Sequence, residues 1–219
     1  MSERRRELGG RSLAPSTGLI VVKLGGSVVR SSELQSWLDA IAHGAGRIVV
    51  VPGGGALADE VRSSQSSLGF GDEAAHRMAL LAMDQLAWAV AGLRSGFQVC
   101  DTEQALRDAL ERGQVAVWAP YALVSGRSDI PQSWTVTSDS LALWLAGRLG
   151  AGSCYVIKSI ARKFAAVSAD QLARDGVVDA AFPSMLQRSG VNAYLLGRND
   201  QAAFAEMLAG AGACGASID

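Results

Sequence analysis

Lysine is rare in this chain, and two of its three copies end short apolar runs. Only three of the 20 basic residues are lysine, and the other 17 are arginine. Lys23 ends the apolar run 19–23, and Lys158 ends the run 154–158. An ammonium is a compact point charge on a flexible stem, which a planar guanidinium does not replace. We therefore predict that the lysines bind phosphate. The alternative, which fits Lys163 best, is that they are ordinary residues of exposed loops.

Two glycine-rich segments follow the first two apolar runs. Gly25-Gly26-Ser27 follows the first, and Gly53-Gly54-Gly55 follows the second and precedes a helical stretch that begins at Ala56. Glycine lets the backbone approach a ligand and present N–H groups to an anion, and a helix start adds its positive end. A tight turn is the alternative for each segment alone. Together, beside Lys23, they predict a phosphate site at the carboxyl edge of a parallel sheet.

Two familiar nucleotide motifs are missing from the chain. A P-loop needs GxxxxGK[ST], and the sequence has no Gly-Lys pair. A dinucleotide fingerprint needs GxGxxG after the first strand, which residues 24–30 do not supply. The phosphate site is therefore predicted to be of another type.

The order of β-rich and helical segments predicts an α/β fold. Short runs of Val, Ile, Leu and Tyr lack the period-two alternation of half-exposed strands, as expected of parallel strands covered on both faces. The predicted strands are 19–24, 47–52, 97–100, 115–121, 153–160 and 193–197. We expect a three-layer αβα sandwich with a mainly parallel open sheet, formed by a single domain over 18–219. Residues 1–17 are expected to be a disordered tail.

Local signals predict where the helices begin and end. The predicted helices are one capped by Ser32 and Gln35 that ends near His43, one over 102–112, one capped by Ser168 and Gln171, and one from Asn199 or Asp200 to about Leu208.

The stretch 73–93 is apolar almost all round, which predicts a helix buried in the sandwich or against a second subunit. We therefore expect a homo-oligomer, at least a dimer, through this helix. His76, Leu80 and Asp84 are four residues apart and share one face, which Trp88 continues. The tryptophans other than Trp134 are interpreted as core residues.

Composition narrows the classes of partner and compartment. The net charge of −1 creates no overall field for nucleic acid or an anionic membrane, so neither partner is expected. No apolar stretch approaches the roughly 18 residues that span a bilayer. Cys100, Cys154 and Cys214 show no metal-ligand or disulfide pattern, which predicts reduced thiols in a cytoplasmic protein. With only His43 and His76 as histidines, no structural zinc site is expected.

The glycine segments and their neighbours resemble the amino-acid-kinase superfamily. That family includes acetylglutamate, carbamate, uridylate and isopentenyl phosphate kinases and aspartokinase, and its first strand ends in KxGGS. The matching residues here are Lys23, Gly25, Gly26 and Ser27, the second glycine loop 53–55, and Ser138-Asp139 at the start of a later helix. The resemblance implies an ATP-dependent phosphotransferase, with Mg²⁺ between the phosphates and few or no direct protein ligands.

The resemblance also implies roles for the site residues. Lys23 is expected to contact the transferring phosphoryl group, Lys158 the nucleotide side, and Asp139 to orient both lysines. A carboxylate that merely favours the helix dipole is the alternative for Asp139. Nucleotide binding is expected of Gly25, Gly26, Ser27, Lys158, Lys163 and Asp179. The backbone N–H groups of four glycines are expected to donate to phosphate oxygens: Gly25, Gly26, Gly54 and Gly55.

A narrower resemblance, to the small kinases of methanofuran biosynthesis, extends over nearly the whole chain after residue 18. It rests on four stretches: 71–78, 81–85, 131–142 and 175–183. Those kinases convert aminomethylfuran phosphate to its diphosphate with ATP, so this acceptor is expected here. Other functions stay open: a kinase of uridylate, isopentenyl phosphate or an amino acid, a nucleotide-handling oxyanion storage protein, or a non-catalytic subunit.

One segment departs from many relatives. They carry Thr-Asp-Val-Asp-Gly where residues 158–163 read Lys-Ser-Ile-Ala-Arg-Lys here. Contacts to the adenine or ribose are therefore expected to differ.

The expected acceptor site combines loop 53–55 with Arg62, His76, Asp84, Trp134 and Ser138. Arg62 is expected to bind the acceptor phosphate, or else to lie on a solvated helix face. His76 and Asp84 are expected to flank the amine and ring, the alternative for His76 being a core residue bonded to a backbone carbonyl. Trp134 is expected to stack on the furan or else to pack. No general base is required, because a phosphate acceptor is already ionised at neutral pH.

Overall fold

Eight strands form one sheet in the computed structural model, which describes residues 18–161, 166–210 and 212–219. The strands are β1 (Ile20–Leu24), β2 (Ile48–Pro52), β3 (Phe97–Cys100), β4 (Val115–Trp118), β5 (Ser153–Ile157), β6 (Ala166–Val167), β7 (Asn192–Leu196) and β8 (Ala216–Ile218). Their order is β3-β4-β2-β1-β5-β7-β8-β6. Every neighbouring pair is parallel except β7 and β8, which are antiparallel. The prediction of a mainly parallel α/β sheet is confirmed.

Helices connect these strands. Within the described residues they are α1 (Gly26–Val29), α2 (Leu34–Ala42), α3 (Gly55–Leu68), α4 (Asp72–Gly92), α5 (Glu103–Glu111), α6 (Tyr121–Val124), α7 (Ser138–Leu149), α8 (Ala169–Arg174), α9 (Phe182–Ser189) and α10 (Gln201–Leu208).

Helices cover both faces of the sheet. Along β1, Val21 joins one apolar cluster, whereas Ile20, Val22 and Leu24 join the other. The first cluster contains side chains of α5, α7, α8 and α9, and the second contains side chains of α1, α2 and α10. Strands β1, β2 and β4 are buried at every position, which is why their sequences read as nearly unbroken apolar runs. The predicted three-layer arrangement is present.

Three of the predicted helix starts are confirmed. The Thr102 hydroxyl accepts from the Ala105 N–H at 3.2 Å at the start of α5. The Ser168 hydroxyl accepts from the Gln171 N–H at 3.4 Å at the start of α8. Asp200 is the N-cap of α10. At α5 and α8 a side-chain oxygen satisfies an amide that has no partner within the helix, which is why Thr and Ser mark these starts. At α10 the Asp200 carboxylate instead accepts from the Gly197 N–H at 2.8 Å.

The predicted capping box of Ser32 and Gln35 is wrong. Helix α2 begins at Leu34, and its N-cap is Glu33, which makes no side-chain capping bond. The hydroxyl of Ser31, rather than that of Ser32, accepts from the Glu33 N–H at 3.2 Å. Ser31 and Ser32 carry the same hydroxyl group, so the spacing to Gln35 alone did not show which serine bonds the backbone before α2.

Several strand limits also differ from the prediction. Strand β4 ends at Trp118 because Pro120 caps α6, and β5 ends at Ile157, three residues earlier than expected. Strands β6 and β8 have two and three residues and were not predicted. Runs that short carry no readable periodicity.

Helix α4 is less buried than the sequence predicts. One face packs inside, including Leu80, Met83 and Val90. The outer face carries Trp88, which is 67% exposed, so the interpretation of Trp88 as a core residue is wrong. Dimer formation through this helix stays a prediction. Among the helices of the described ranges, none is long and apolar enough to cross a membrane.

Candidate active site

The two described lysines meet at one edge of the sheet. Lys23 lies on β1 and is 3% exposed, and Lys158 directly follows β5. Strands β1 and β5 are parallel neighbours, and Lys23 lies in register with Val156. Both side chains therefore project from the carboxyl end of the sheet, where open α/β sheets bind ligands.

A single buried carboxylate joins the two ammonium groups. Asp139, in the first turn of α7, lies 2.5 Å from Lys23 Nζ through Oδ1. Its Oδ2 accepts from Lys158 Nζ at 2.8 Å. Asp139 is only 4% exposed. These three residues, called the lysine site below, carry two positive charges and one negative charge. The net positive charge favours the binding of an anion.

Burial and charge act against each other in the lysine site. Burial is the largest influence on Asp139 and would raise its pKa, but the combined attraction of both lysines holds that pKa below the usual value. Burial, and then repulsion by Lys23, lowers the pKa of Lys158 to about 8, although Asp139 opposes the change. A bound polyphosphate adds negative charge and favours the charged form of Lys158.

The two glycine loops touch each other, backbone against backbone. A Cβ on Gly26 would lie 2.7 Å from the Cα and N atoms of Gly55, and a Cβ on Gly53 would lie 2.8 Å from the Gly26 nitrogen. Gly55 also has a φ of +51°, which side chains disfavour. The glycines are thus required by the contact between the loops as well as by any ligand.

The amides of these loops are not all free for a ligand. The Gly25 N–H donates to the Ile157 carbonyl at 3.1 Å, and the Gly53 N–H donates to the Leu24 carbonyl at 2.9 Å. The expected donation from Gly25 to phosphate is therefore wrong, and Gly25 holds β1 against β5 instead. At the start of α3, the Gly55 amide has no acceptor within its own helix and remains suited to an anion.

A cavity of about 490 Å³ opens beside the lysine site. That volume is typical of a small-ligand pocket. Most of the predicted site residues line it: Lys23, Gly26, Ser27, Gly53, Gly54, Gly55, Arg62, His76, Trp134, Ser138, Asp139 and Lys158. Gly25, Asp84 and Asp179 are not among the lining residues. Lys163 lies outside the described residues.

Arginine and tryptophan form a second, more exposed part of the lining. The Arg62 guanidinium lies 4.1 Å from the centre of the Trp134 ring and 3.4 Å from Asp59. Trp134 Nε1 donates to Gln65 Oε1 at 2.6 Å, which ties the indole to α3. One face of the Trp134 ring is thus covered by Arg62, so a stacked acceptor ring would use the other face or displace the guanidinium.

Arg30 also lines the cavity, and the sequence analysis missed it. It follows α1 directly and is exposed, with no ion pair to any residue that the structure describes. Arg62 lies seven residues after Gly55 of the second glycine loop, and Arg30 lies four residues after Gly26 of the first, so a search for basic residues after both loops would have found Arg30. Arg30, Arg62 and Trp134 are called the arginine rim below.

His76 and Asp84 do not act as a pair. His76 is 5% exposed and lines the cavity, and burial lowers its pKa although a hydrogen bond to the Ser133 backbone opposes this. Asp84 instead accepts from the Tyr121 N–H at 3.1 Å, and burial raises its pKa. The expectation that Asp84 flanks the acceptor is therefore wrong, because its carboxylate ties α4 to the start of α6.

Asp179 is placed differently from its expected role in nucleotide binding. Its Oδ2 accepts from the Thr137 N–H at 2.9 Å, the Thr137 hydroxyl at 2.8 Å and the Ser140 N–H at 3.0 Å. Its Oδ1 accepts from the Ser140 hydroxyl. Burial, and then the charge of Asp139, raise the Asp179 pKa, while these hydrogen bonds oppose the change. The carboxylate is occupied by the start of α7 and is not directed at a ligand.

Comparison with known proteins identifies the family of this chain. The model of the amino acid kinase family matches residues 18–162, more than half of the chain. This chain belongs to the amino acid kinase family. The resemblance of its glycine segments, Lys23 and Ser138-Asp139 to that family is confirmed.

Individual members of the family are similar over most of the chain. A [5-(aminomethyl)furan-3-yl]methyl phosphate kinase from Methanocaldococcus jannaschii is 26% identical over 187 residues, which are 80% of this chain and 86% of that protein. Uridylate kinase from Archaeoglobus fulgidus has a similar structure, with a TM-score of 0.69 at 20% identity over 92% of this chain and 100% of that chain. Aspartate kinase from Synechocystis gives a TM-score of 0.60 at 18% identity, over 82% of this chain and 37% of that chain. The protein is thus a kinase of this family, with ATP as its co-substrate.

Proposed function

We propose that this kinase transfers the terminal phosphoryl group of ATP to a small acceptor that already carries a phosphate, with aminomethylfuran phosphate as the first candidate. The observation that carries the proposal is the buried Lys23–Asp139–Lys158 bridge at the edge of a cavity that also contains two arginines. Two separate groups of cations suit a reaction that brings two phosphates together. The relative from Methanocaldococcus jannaschii, named as an aminomethylfuran phosphate kinase, supports this choice of acceptor.

The lysine site would neutralise charge on the transferring group. Phosphoryl transfer depends mainly on positioning and on electrostatic stabilisation of the moving phosphoryl. Lys23 would contact that group and Lys158 the nucleotide side, while Asp139 holds both ammoniums in place without touching the substrate. Because one carboxylate restrains both lysines, their separation is set before the substrate arrives, which is the preorganisation that favours charge stabilisation.

Magnesium would be held mainly by phosphates and water. The described residues contain no group of three or more His, Cys, Asp or Glu side chains suited to a metal ion. Asp139 is already paired with two lysines and is not free to be a ligand. Mg²⁺ usually binds through one or two carboxylates at most, together with substrate phosphates, so the site fits it in that form. When bound, it would neutralise charge on the polyphosphate.

The arginine rim would receive the acceptor. Helix α3 begins at the glycine loop and carries Arg62 seven residues further on, roughly 10 Å along the helix axis. Arg30 and Arg62 would bind the acceptor phosphate, with Trp134 beside the ring. His76 would contact the substituent of the acceptor that reaches α4, and the glycine loops with Ser138 would line the path between the two phosphates.

A coupled assay of ADP release would test the proposal. The acceptors compared would be aminomethylfuran phosphate, uridylate, isopentenyl phosphate and acetylglutamate, each with ATP and Mg²⁺. We expect the fastest turnover with aminomethylfuran phosphate and none above background for the Lys23→Ala variant. Faster turnover with another acceptor would reject this substrate, and no turnover with any phosphorylated acceptor would reject the proposed reaction class. Metal content of the purified protein would identify an oxyanion storage function.

We also propose a cytoplasmic location and a homodimer. All three cysteines are buried. Burial raises the pKa of Cys100 to about 11 and of Cys154 to about 12, which keeps these two thiols unreactive. For the dimer, the outer face of α4 exposes Met78, Leu81 and Trp88. Sedimentation velocity of the full chain and a Trp88→Asp variant would test it. We expect a dimer that dissociates in the variant, and a monomeric parent would reject it.

A further inference from the structure

The start of α7 lacks a cap of its own and receives one from a distant segment. The N-cap, Thr137, has extended backbone, and its side chain makes no capping bond to α7. In an ordinary helix that side chain would accept from the third amide of the first turn. Here the Asp179 carboxylate accepts from that amide, Ser140 N–H, at 3.0 Å and from the amide and hydroxyl of Thr137.

Asp139 lies between the two residues that Asp179 holds. Asp179 binds Thr137 and Ser140, and the residues between them are Ser138 and Asp139, both of which line the cavity. Asp179 is partly buried. It is anchored in turn, because the Phe182 N–H donates to the Asp179 carbonyl at 3.1 Å and Phe182 is fully buried. The backbone around Asp139 is therefore fixed from outside the cavity.

We propose that Asp179 is a positioning residue for phosphoryl transfer: by capping α7 it sets the place of Asp139, and through Asp139 the places of Lys23 and Lys158. This inference rests on the proposed kinase reaction. Asp179 touches no substrate in this arrangement. Its negative charge is used on hydrogen-bond donors at the positive end of a helix, where a carboxylate is favoured.

The charges around Lys158 give this role a measurable signature. Lys158 interacts with Lys23 from β1 and with Asp139 from α7. Asp139 in turn interacts with Cys154 on β5 and with Asp179. Asp139 raises the Lys158 pKa, whereas Lys23 lowers it. If loss of the cap lets Asp139 move away, its attraction weakens and the Lys158 ammonium loses its proton at lower pH.

The test uses Asp179→Asn and Asp179→Ala, with Asp175→Asn as the matched control. Asp175 lies on the same segment, but its carboxylate is exposed and, among the residues that the structure describes, accepts from Gln171 Nε2 alone, at 2.8 Å. We expect kcat to fall about tenfold in Asp179→Asn and about 100-fold in Asp179→Ala, with the KM for ATP changed less than about threefold. The control should match the parent. These rates are compared per folded molecule, from the folded fraction of each preparation.

A binding experiment separates this inference from the proposed reaction. The affinity for a non-hydrolysable ATP analogue is measured by calorimetry between pH 6 and 10. In Asp179→Asn the pH at which binding weakens should lie below that of the parent, and in Asp175→Asn it should not move. If Asp179→Asn melts at a lower temperature but keeps the parental kcat and binding profile, Asp179 is merely structural and the inference is overturned. If the parent shows no turnover, the proposed reaction fails, and the binding profile alone decides the role of Asp179.

Discussion

The lysine site and the arginine rim differ in how far their positive charges are exposed to solvent. Side-chain exposure in the lysine site is 4% for Lys23, 6% for Asp139 and 15% for Lys158. On the rim, Arg62 is 50% exposed and its partner Asp59 is 72% exposed. A buried, paired charge is held in one geometry, whereas an exposed ion pair is screened and contributes little. From this difference in exposure we predict that the reaction rate depends on the lysine site and that acceptor recognition depends on the rim.

Replacing Lys23 should give the largest effect. Lys23→Ala should reduce turnover to background, a loss of about 1,000-fold or more in kcat, because it would remove the charge proposed to lie nearest the transferring group. Asp139 keeps Lys158 as a partner, so the variant should still fold. Lys23→Arg should be nearly as damaging, because a planar fork does not follow the phosphoryl as a point charge does. Steady-state ADP release and circular dichroism would measure both, and normal turnover in either variant would contradict the assignment.

Separating the two glycine loops should have the next largest effect. Gly26→Ala places a Cβ 2.7 Å from main-chain atoms of Gly55. Because this clash is with backbone, no side-chain movement can relieve it. We expect kcat/KM for ATP to fall about 10- to 100-fold. Gly152→Ala is the control, since within the described part of the chain its Cβ would meet the Leu19 carbonyl alone, at 4.0 Å. Equal kinetics in the two variants would show that the loop contact does not shape the site.

The arginine rim should affect recognition rather than rate. Arg30→Gln should raise the KM for the acceptor about tenfold and leave kcat nearly unchanged. Arg62→Gln should act in the same direction but more weakly, because Asp59 already offsets its charge. Arg94→Gln is the control, since Arg94 pairs with Asp39 and does not line the cavity. Parental acceptor KM in both rim variants would remove the rim from the acceptor site.

The smallest effect concerns pH. Because the Lys158 pKa is lowered to about 8, its charged fraction falls as pH rises through that value. The pH dependence of kcat/KM reports the free enzyme, so kcat/KM for ATP should decline above about pH 8. In Lys158→Arg the decline should move to higher pH, since a guanidinium stays charged. An unchanged alkaline decline in that variant would assign it to another group.

The sequence predicts most of the lysine site because the relevant signals are local. Lys23 and the first glycines are adjacent in the chain, and the apolar runs that end at Lys23 and Lys158 mark parallel strands. Parallel strands share one carboxyl edge, so the meeting of these two lysines follows from the fold class. Asp139 lies at the start of a later helix, and its place in the site was predicted from the family resemblance.

Other features depend on contacts that no local pattern contains. Asp179 and Ser140 are far apart in sequence, and nothing near Asp179 indicates that its carboxylate caps α7. The four-residue spacing of His76, Leu80 and Asp84 places them on one face of a helix, but it does not show that the Asp84 carboxylate accepts from the Tyr121 N–H. Trp88 is apolar and helical, yet its exposure depends on which elements pack against α4.

The contact between Gly26 and Gly55 has a consequence for how new specificities arise on this scaffold. Where two stretches of main chain meet without side chains, few substitutions are tolerated. The part of the cavity lining formed by the two glycine loops is therefore expected to change little. Variation is left to the surrounding helices and to the segment that carries Trp134. To change the acceptor, positions 30, 62, 76 and 134 should therefore be randomised and the two glycine loops left unchanged.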